Sequence, residues 1–403
     1  MAAYDSLKLP NFRLLLASGV LSVFAQQMLA TVVGWDLYQA TKSAVVLGNV
    51  GLVQIIPPIL FTFLAGYVAD HYDRRRTAIW TQGTIAIIGL LLALAGTRRG
   101  VALIYTALLL AATARAFLWP STSAMLPQTV PPGQLTSAIG WQGTGREMST
   151  VGGPALAGFL IAWKGSESVY FAQTVCSVLA VICYSFMSVG KAPQADRPPM
   201  TWKLAFEGFC FVWGEKAVLS ALTLDLLAVF FGGAVTLLPI FAQDILNAGP
   251  RGLGWLRAAP AFGAGLMAFV LAHRGRVHHA GLVLLCSVTA FGLATIGFAL
   301  ATSIWVSFTM LFLTGIFDSV SVVLRLSLVQ SRTPDELRGR VSAVNGLFIA
   351  ASNQWGAVES GWAAALLGTV PSVVWGGIAT IVVVLLLAWF SPTLRTWKNP
   401  PAH

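Results

Sequence analysis

Nine charged side chains interrupt the long apolar stretches of this 403-residue sequence, and their chemistry is the first guide to its function. Ionisable residues inside apolar segments are costly to bury, so each could bind a charged substrate or carry a proton. The set comprises four arginines and five carboxylates, namely Arg115, Arg146, Arg257, Arg325, Asp36, Glu147, Asp225, Asp318 and Glu359.

A proton carrier needs a carboxyl group whose surroundings change. Burial favours the protonated form of a carboxyl group and a nearby arginine favours the ionised form. Asp318 lies near the middle of its apolar segment, so we predict proton coupling there first and at Asp225 second. Arg325 shares a helix face with Asp318, two turns away. The alternative is that Asp225, Asp318, Arg115 and Arg325 only neutralise one another and hold the protein together.

Amide and aromatic side chains accompany these charges. The predicted substrate-contacting set is Arg115, Arg325, Gln26, Gln27, Trp35, Phe117, Trp141, Phe231, Asn353 and Trp355. Such a mixture suits a large amphipathic substrate better than a sugar or an inorganic ion. For any single aromatic residue, packing against lipid or at the membrane interface is the alternative.

Composition identifies the elements that must hold these residues. The chain is 56% hydrophobic and 10% charged, with a mean hydropathy of +0.76, whereas soluble domains are about a quarter charged. A membrane-spanning helix needs about 20 to 25 residues, and spans of this length would use most of the chain. We therefore predict an all-α polytopic membrane protein. The predicted spans are 12–38, 44–70, 78–96, 101–126, 135–163, 168–190, 214–244, 251–273, 279–300, 303–331, 338–366 and 370–391.

The basic residues set the predicted orientation. Sixteen of the 25 lysines and arginines fall in segments on the side of the N-terminus, and five fall in the opposite loops. By the positive-inside rule both termini face the cytoplasm. This distribution also argues against nucleic-acid binding as the source of the net charge of +10.

The middle of the chain divides it into two predicted domains of six spans. We predict an N-terminal half at 1–190, a cytoplasmic linker at 191–213 and a C-terminal half at 214–403. The linker is polar and rich in proline. A short echo supports duplication, because Pro-Gly-Gln-Leu at 132–135 is similar to Pro-Asp-Glu-Leu at 334–337.

Three further groups of residues predict moving parts. Gly66 and Asp70 share a helix face before the turn that carries Asp73, Arg74 and Arg75, although a basic loop that only fixes orientation is the alternative. Arg146, Gly152, Gly153, Pro154 and Gly158 predict a bent, closely packed fifth span. Arg257 and Glu359 lie near the predicted outer surface and could pair as an outer gate, with Asp36 as a further, solvated candidate.

Several of these motifs resemble the major facilitator superfamily. Residues 66–76 resemble its loop signature of glycine, aspartate and a basic cluster, with His71 where a permanent base is usual. Gly153-Pro154 with Gly158 resembles its antiporter motif. The run 337–361, from Leu-Arg-Gly-Arg-Val to Glu-Ser-Gly, resembles the branch that contains the enterobactin exporter and macrolide-efflux-type proteins.

The resemblance implies a fold of twelve transmembrane helices in two pseudo-symmetric halves, with spans one, four, seven and ten around a cavity. Arg115 resembles the superfamily's span-four arginine, which implies proton coupling or binding of an anionic substrate group. The resemblance also implies a cytoplasmic gate in which Asp70 engages the start of span eleven, near Arg338 and Arg340.

We therefore expect a secondary active transporter of the bacterial inner membrane. Its predicted function is proton-coupled export of a siderophore-like, drug-like or other amphipathic small molecule, with a lipid or lysolipid flippase or a metabolite uniporter as the alternative. Substrate, protons and the lipid bilayer are the expected partners of a monomer. No H-E-x-x-H motif or phosphate-binding loop occurs in the sequence, so we predict no enzyme, cofactor or metal.

Overall fold

The computed structural model describes residues 4–96, 99–188, 202–274 and 279–397, and all secondary structure in these ranges is helical. This confirms the all-α prediction. The α-helices are α1 (Pro10–Thr41), α2 (Ala44–His71), α3 (Arg74–Ala95), α4 (Val101–Thr129), α5 (Leu135–Lys164), α6 (Ser166–Phe186), α7 (Trp202–Gly214), α8 (Lys216–Phe231), α9 (Leu238–Ile240), α10 (Gly249–Arg274), α11 (Ala280–Leu300), α12 (Ile304–Arg332), α13 (Arg338–Leu367), α14 (Thr369–Phe390) and α15 (Pro392–Arg395).

Ten segments within the described ranges are long and apolar enough to cross a membrane. They comprise α1, α3, α4, α6, α11, α12, α14, the stretch Lys216–Ile245 and most of α2 and α10. The predicted spans 135–163 and 338–366 correspond to α5 and α13. Each of these helices is 30 residues long, but they carry more polar side chains than the ten segments. The structure is thus consistent with twelve spans, and that number stays a prediction.

The chain forms two compact units, here called the first and second unit. The first comprises Met1–Lys42, Val53–Met200 and Gly249–Ala258, and the second comprises Ser43–Leu52, Thr201–Ala248 and Ala259–His403. The predicted domains 1–190 and 214–403 stay a prediction. Residues 191–201 of the predicted linker lie outside the described residues.

In the first unit, α1 packs on α4, α5 and α6, while α3 packs on α4 and α6. Phe12, Met125 and Tyr184 are buried in the core of this unit. Helices α5 and α10 approach each other closely at two glycines. A Cβ atom built on Gly158 of α5 would lie 2.8 Å from the Cα atom of Gly254 of α10. In a lipid bilayer there is no hydrophobic driving force between helices, so the dispersion energy of such close contacts stabilises their association.

The second unit has one core between α8, α11, α12 and α14, and another where α7 meets α8, α12 and α13. Helix α7 begins inside the predicted linker, and its Val212 is buried against Val341 and Val344 of α13. The predicted span 214–244 is not a regular helix, since α8 ends before Gly233. A 3-10 turn at Ala234–Leu237, α9 and a π-helical turn at Phe241–Ile245 follow.

Candidate functional site

The first unit contains a cavity of about 370 Å³ between α1, α3, α4, α5 and α6. Most of its wall is apolar, with Leu15, Val23, Leu29 and Ile139 among the lining residues. The polar and aromatic lining residues include Gln26, Gln82, Arg115, Trp119, Gln142, Arg146, Gln173 and Tyr184. The cavity therefore combines an apolar wall with a few polar groups, as small-molecule sites do.

Two arginines face this cavity from neighbouring helices. Arg115 on α4 is half-buried, and Trp119 follows it by four residues, so the two side chains lie on one helix face about 6 Å apart along the axis. The guanidinium of Arg146 on α5 lies 4.8 Å from the centre of the Trp119 ring, a cation–π contact. The wall formed by α4 and α5 is therefore positively charged and aromatic.

Two buried amide side chains, Gln82 and Gln173, also line the cavity. Gln82 of α3 is 1% exposed and Gln173 of α6 is fully buried. Both the Nε2 and Oε1 atoms of Gln82 and the Oε1 atom of Gln173 have no hydrogen-bond partner among the described residues. Gln173 Nε2 donates to Ser177 Oγ at 3.0 Å. Sequence reasoning missed both residues because neutral amides do not interrupt an apolar segment as charges do.

The structure places the predicted substrate residues of this unit in different surroundings. Gln26 and Arg115 line the cavity, whereas Gln27 lies under Gly153 of α5. The remaining three do not line the cavity: Trp35 is buried, the Phe117 ring lies 5.8 Å from that of Phe61, and the Trp141 ring lies 5.7 Å from that of Tyr4. Whether these residues contact a substrate stays a prediction.

The second unit holds a buried ion pair between Asp225 of α8 and Arg325 of α12. Their side chains are 7% and 2% exposed. Asp318 lines the same small pocket as Asp225, together with Phe291 and Phe317, but forms no ion pair with any described residue. Asp225 and Arg325 are therefore each other's counter-ion, whereas Asp318 is a half-buried carboxylate that no described cation neutralises.

Three other predicted residues belong to the second unit. Phe231 meets Phe230 edge to face at 5.0 Å. Asn353 donates its side-chain amide to the carbonyl of Ile349 at 2.8 Å, and the exposed fraction of Trp355 is 48%. None of the three lines the cavity of the first unit or the small pocket at Asp225 and Asp318, and their contact with a substrate stays a prediction.

The basic turn between α2 and α3 ties helix ends together. Asp73 caps α3 by accepting from the backbone N–H of Arg76 at 3.2 Å. Arg74 donates to the carbonyls of Ala69 and Ala124 near the ends of α2 and α4, at 2.8 and 3.1 Å. Cations at helix C-termini satisfy free carbonyls there.

Arg75 has the same role on α6, where it donates to the carbonyls of Tyr184, at 2.9 Å, and Ser185. The carboxylate of Asp70 is 66% exposed and lies 3.9 Å from Arg74. Gly66, one turn earlier, would leave an added Cβ atom in open space. The arginines therefore have a structural role that the orientation argument did not include.

Arg338 and Arg340 lie at the start of α13. Arg340 forms an ion pair with Glu207 of α7, and a Cβ atom built on Gly208 would lie 2.9 Å from that of Arg340. The predicted engagement of Asp70 with this end of span eleven stays a prediction. Glu207 is a partner for Arg340 that the sequence did not indicate.

The glycine motif of α5 packs against α1 and α10. A Cβ atom built on Gly153 would lie 2.7 Å from the Cβ atom of Gln27, and one on Gly152 would lie 3.0 Å from the Phe24 ring. Pro154 is buried within α5, next to this contact. The motif thus lets α1 approach α5 directly beside the cavity.

Asp36 does not face solvent, because it belongs to a network with Arg99, Ser166, Glu167 and Tyr170. Its side chain is 13% exposed and lies 3.4 Å from Arg99. The Tyr170 hydroxyl donates to it at 3.0 Å, and Ser166 donates to its other oxygen. Arg99 also binds Glu167 at 2.8 Å. The interpretation of Asp36 as solvated was therefore wrong, and its role as an outer gate stays a prediction.

Arg257 and Glu359 are both half-buried. Glu359 Oε2 lies 3.4 Å from the Ser360 hydroxyl. Their predicted pairing as an outer gate stays a prediction. The described residues contain no group of three or more histidines, cysteines or carboxylates that could hold a metal ion.

Comparison with known proteins places these features in a family context. Residues 15–352 and 226–403 match the sequence model described as Major Facilitator Superfamily. The enterobactin exporter EntS of Citrobacter koseri is 26% identical over 412 residues, covering 97% of this chain and 94% of the exporter. Macrolide efflux protein A of Streptococcus pyogenes is 23% identical over 354 residues, covering 86% and 87%.

A solved structure gives the same picture for the fold. The crystal structure of a bacterial homologue of the human lysosomal transporter Spinster, in an inward-facing and unoccupied conformation, aligns with a TM-score of 0.72 at 15% identity. The alignment covers 98% of this chain and 99% of that protein.

Proposed function

Because the chain belongs to the major facilitator superfamily, we propose that it exports an amphipathic, siderophore-like or drug-like molecule by proton-coupled alternating access. The cavity of the first unit carries this proposal, since its apolar wall and few polar groups suit such a molecule. The enterobactin exporter and the macrolide efflux protein, each aligned over most of the chain, support the same class of substrate.

Asp318 is the proposed proton carrier. It is the carboxylate in the middle of α12 that no described cation neutralises, whereas Asp225 is held by Arg325. A carboxyl group in an apolar surrounding exchanges its proton when its access to water changes. Asp318 can therefore bind a proton in one state of the transport cycle and release it in the other.

The bacterial inner membrane is the proposed location, with both termini in the cytoplasm. The described helices that meet the length and hydropathy requirements for spanning support a multi-pass membrane protein. The excess of basic residues on the side of the N-terminus supports the orientation.

Transport by purified protein in liposomes tests the coupling. With an acidic lumen, proton efflux through an antiporter should drive accumulation of an added probe, for which we choose enterobactin and a macrolide. We expect Asp318→Asn to lose this accumulation at least tenfold while keeping exchange of probe at equal pH. Asp244→Asn, which neutralises an exposed carboxylate of the same unit, is the matched control and should accumulate probe as the wild type does.

Three results would contradict parts of the proposal. Accumulation by Asp318→Asn at the wild-type rate would exclude Asp318 as the proton carrier. Wild-type equilibration of probe without accumulation would indicate a uniporter. Movement of a fluorescent lysolipid, with no movement of either probe, would instead indicate a lipid flippase.

A further inference from the structure

We propose that the cavity of the first unit binds the anionic group of an amphipathic, hydroxyl-bearing organic acid. Arg115 and Arg146 supply the positive charge, Trp119 supplies an aromatic face, and Gln82 and Gln173 supply hydrogen bonds. This inference rests on the proposed transport function and names the substrate class on which that function acts.

The charge of the cavity is the first argument. Among the described residues that line it, two are arginines and none is an aspartate or a glutamate. Arg115 has no ion pair or hydrogen bond to any described residue. Glu147, the sequence neighbour of Arg146, is exposed and lies outside the lining. Arg115 is therefore an uncompensated charge in a largely apolar surrounding, which is unfavourable, and a bound anion relieves that penalty.

The chemistry of arginine then selects the role. A guanidinium group does not release its proton in proteins, so these two side chains cannot themselves carry the coupled proton. It does present several N–H donors in a planar fork that matches a carboxylate. An arginine can also assist coupling by acting on a nearby carboxyl group, but no aspartate or glutamate is among the described residues that line the cavity. Of the two roles that the sequence left open for Arg115, the cavity therefore supports binding of an anionic group.

The amides are the second and independent argument. Gln82 lines the cavity at 1% exposure, and neither its Nε2 nor its Oε1 atom has a hydrogen-bond partner in the part of the chain that the structure describes. The Oε1 atom of Gln173 is also unpaired. Buried polar groups almost always have partners, so these atoms indicate a ligand that supplies them. An N–H group donates to a carboxylate or hydroxyl oxygen, and the two carbonyl oxygens accept from hydroxyl groups.

Trp119 supplies the apolar part of the subsite. Its ring is 59% exposed and already holds the Arg146 guanidinium at 4.8 Å. A flat aromatic acid can stack on the ring while its carboxylate meets the arginines. This geometry favours an aromatic organic anion over a small inorganic ion, which would use the charge but neither the ring nor the apolar wall.

Equilibrium dialysis of the full-length protein in lipid nanodiscs tests the proposal, with binding to empty nanodiscs subtracted. The probes are 2-naphthoate and its neutral counterpart of nearly the same shape, 2-naphthamide. We expect 2-naphthoate to bind at least tenfold more tightly, the size of one charge-assisted hydrogen bond. A third probe, 6-hydroxy-2-naphthoate, should bind more tightly again because its hydroxyl group can reach an amide.

The variants separate the contributions. Arg115→Gln and Arg146→Gln should each weaken 2-naphthoate at least tenfold and change 2-naphthamide less than twofold. Trp119→Leu should weaken both probes by a similar factor. Gln82→Leu should remove the advantage of the hydroxylated probe. The matched control is Arg251→Gln, which deletes an exposed guanidinium that lies over the Phe159 ring, and it should bind all probes as the wild type does.

Unchanged 2-naphthamide binding also shows that an arginine variant is folded, so its loss of 2-naphthoate binding can be interpreted. Equal binding of 2-naphthoate and 2-naphthamide by the wild type would overturn the proposal. So would an Arg115→Gln variant that retains wild-type affinity for 2-naphthoate. The binding assay needs neither a proton gradient nor transport. Selective binding of 2-naphthoate without proton-driven accumulation in liposomes would therefore refute only the proposed coupling. Accumulation without selective binding of the anion would refute only this subsite.

Discussion

At the residue scale, the ion pair between Asp225 and Arg325 is the contact whose removal should affect the second unit most. Both side chains are nearly inaccessible, so neutralising one leaves the other as a buried, unpaired charge. We expect Asp225→Asn to lower the free energy of unfolding by about 3–5 kcal/mol. Denaturant titration of the purified protein in detergent measures this difference.

The double variant Asp225→Leu/Arg325→Met is the control for that prediction. It removes both charges and fills their volume with apolar atoms, so it should recover most of the lost stability. An Asp225→Asn variant as stable as the wild type would show that the pair contributes nothing. A double variant less stable than Asp225→Asn would show that the charges have other essential contacts.

The sequence identified the candidate site residues that carry a charge within an apolar segment, because such charges are costly to bury. Arg115 was identified in this way, and the structure places it in the cavity wall. Gln82 and Gln173 were not identified, because an amide in an apolar segment has too little effect on hydropathy to be distinguished from a core residue. The pairing of Asp225 with Arg325 was only one of several open alternatives, since sequence spacing relates residues on one helix and not on two.

At the element scale, long apolar helices were predictable because the membrane requires each spanning segment to satisfy its own backbone. Helix α7 was not, since its apolar residues continue directly into those of α8. Its position depends on tertiary contacts, in which Val212 enters a core and Glu207 pairs with Arg340. The break after α8 occurs at two adjacent glycines, Gly232 and Gly233. A hydropathy profile averages over many residues and does not detect them.

The network around Asp36 should stabilise the connection between α1, α6 and the loop before α4. Arg99 is its centre, since its side chain is 8% exposed and contacts Asp36, Glu167 and the face of the Tyr170 ring at 4.9 Å. We expect Arg99→Gln to lower the free energy of unfolding by about 3 kcal/mol, because it leaves the Asp36 carboxylate buried without its cation. Thermal and denaturant unfolding in detergent measure the loss.

Two variants check that interpretation. Tyr170→Phe removes one hydrogen bond to Asp36 and should destabilise by about 1 kcal/mol. Lys164→Gln removes an exposed cation that lies over the Trp163 ring and should change stability by less than about 0.5 kcal/mol. If Arg99→Gln were no more harmful than Lys164→Gln, the network would not contribute to stability.

At the scale of the whole molecule, the sequence predicted the family and the all-α fold because these follow from composition and a few motifs. It could not predict that the compact units depart from the order of the chain. Ser43–Leu52 belongs to the second unit, where a Cβ atom built on Gly48 would lie 2.9 Å from the Cα atom of Gly361. Gly249–Ala258 belongs to the first unit for the same kind of reason, the contact of Gly254 with Gly158.

The orientation of the whole molecule is open to direct measurement. In a protein whose native cysteines are replaced, Lys42→Cys and Tyr72→Cys put single thiols at the two ends of α2. We propose from the excess of basic residues that the Tyr72 end lies in the cytoplasm. A membrane-impermeant maleimide should then label Lys42→Cys in intact cells and Tyr72→Cys only in inside-out vesicles. The cysteine-free protein is the control for background labelling. The reverse pattern would invert the molecule, and labelling of both variants from one side would mean that α2 does not cross the membrane.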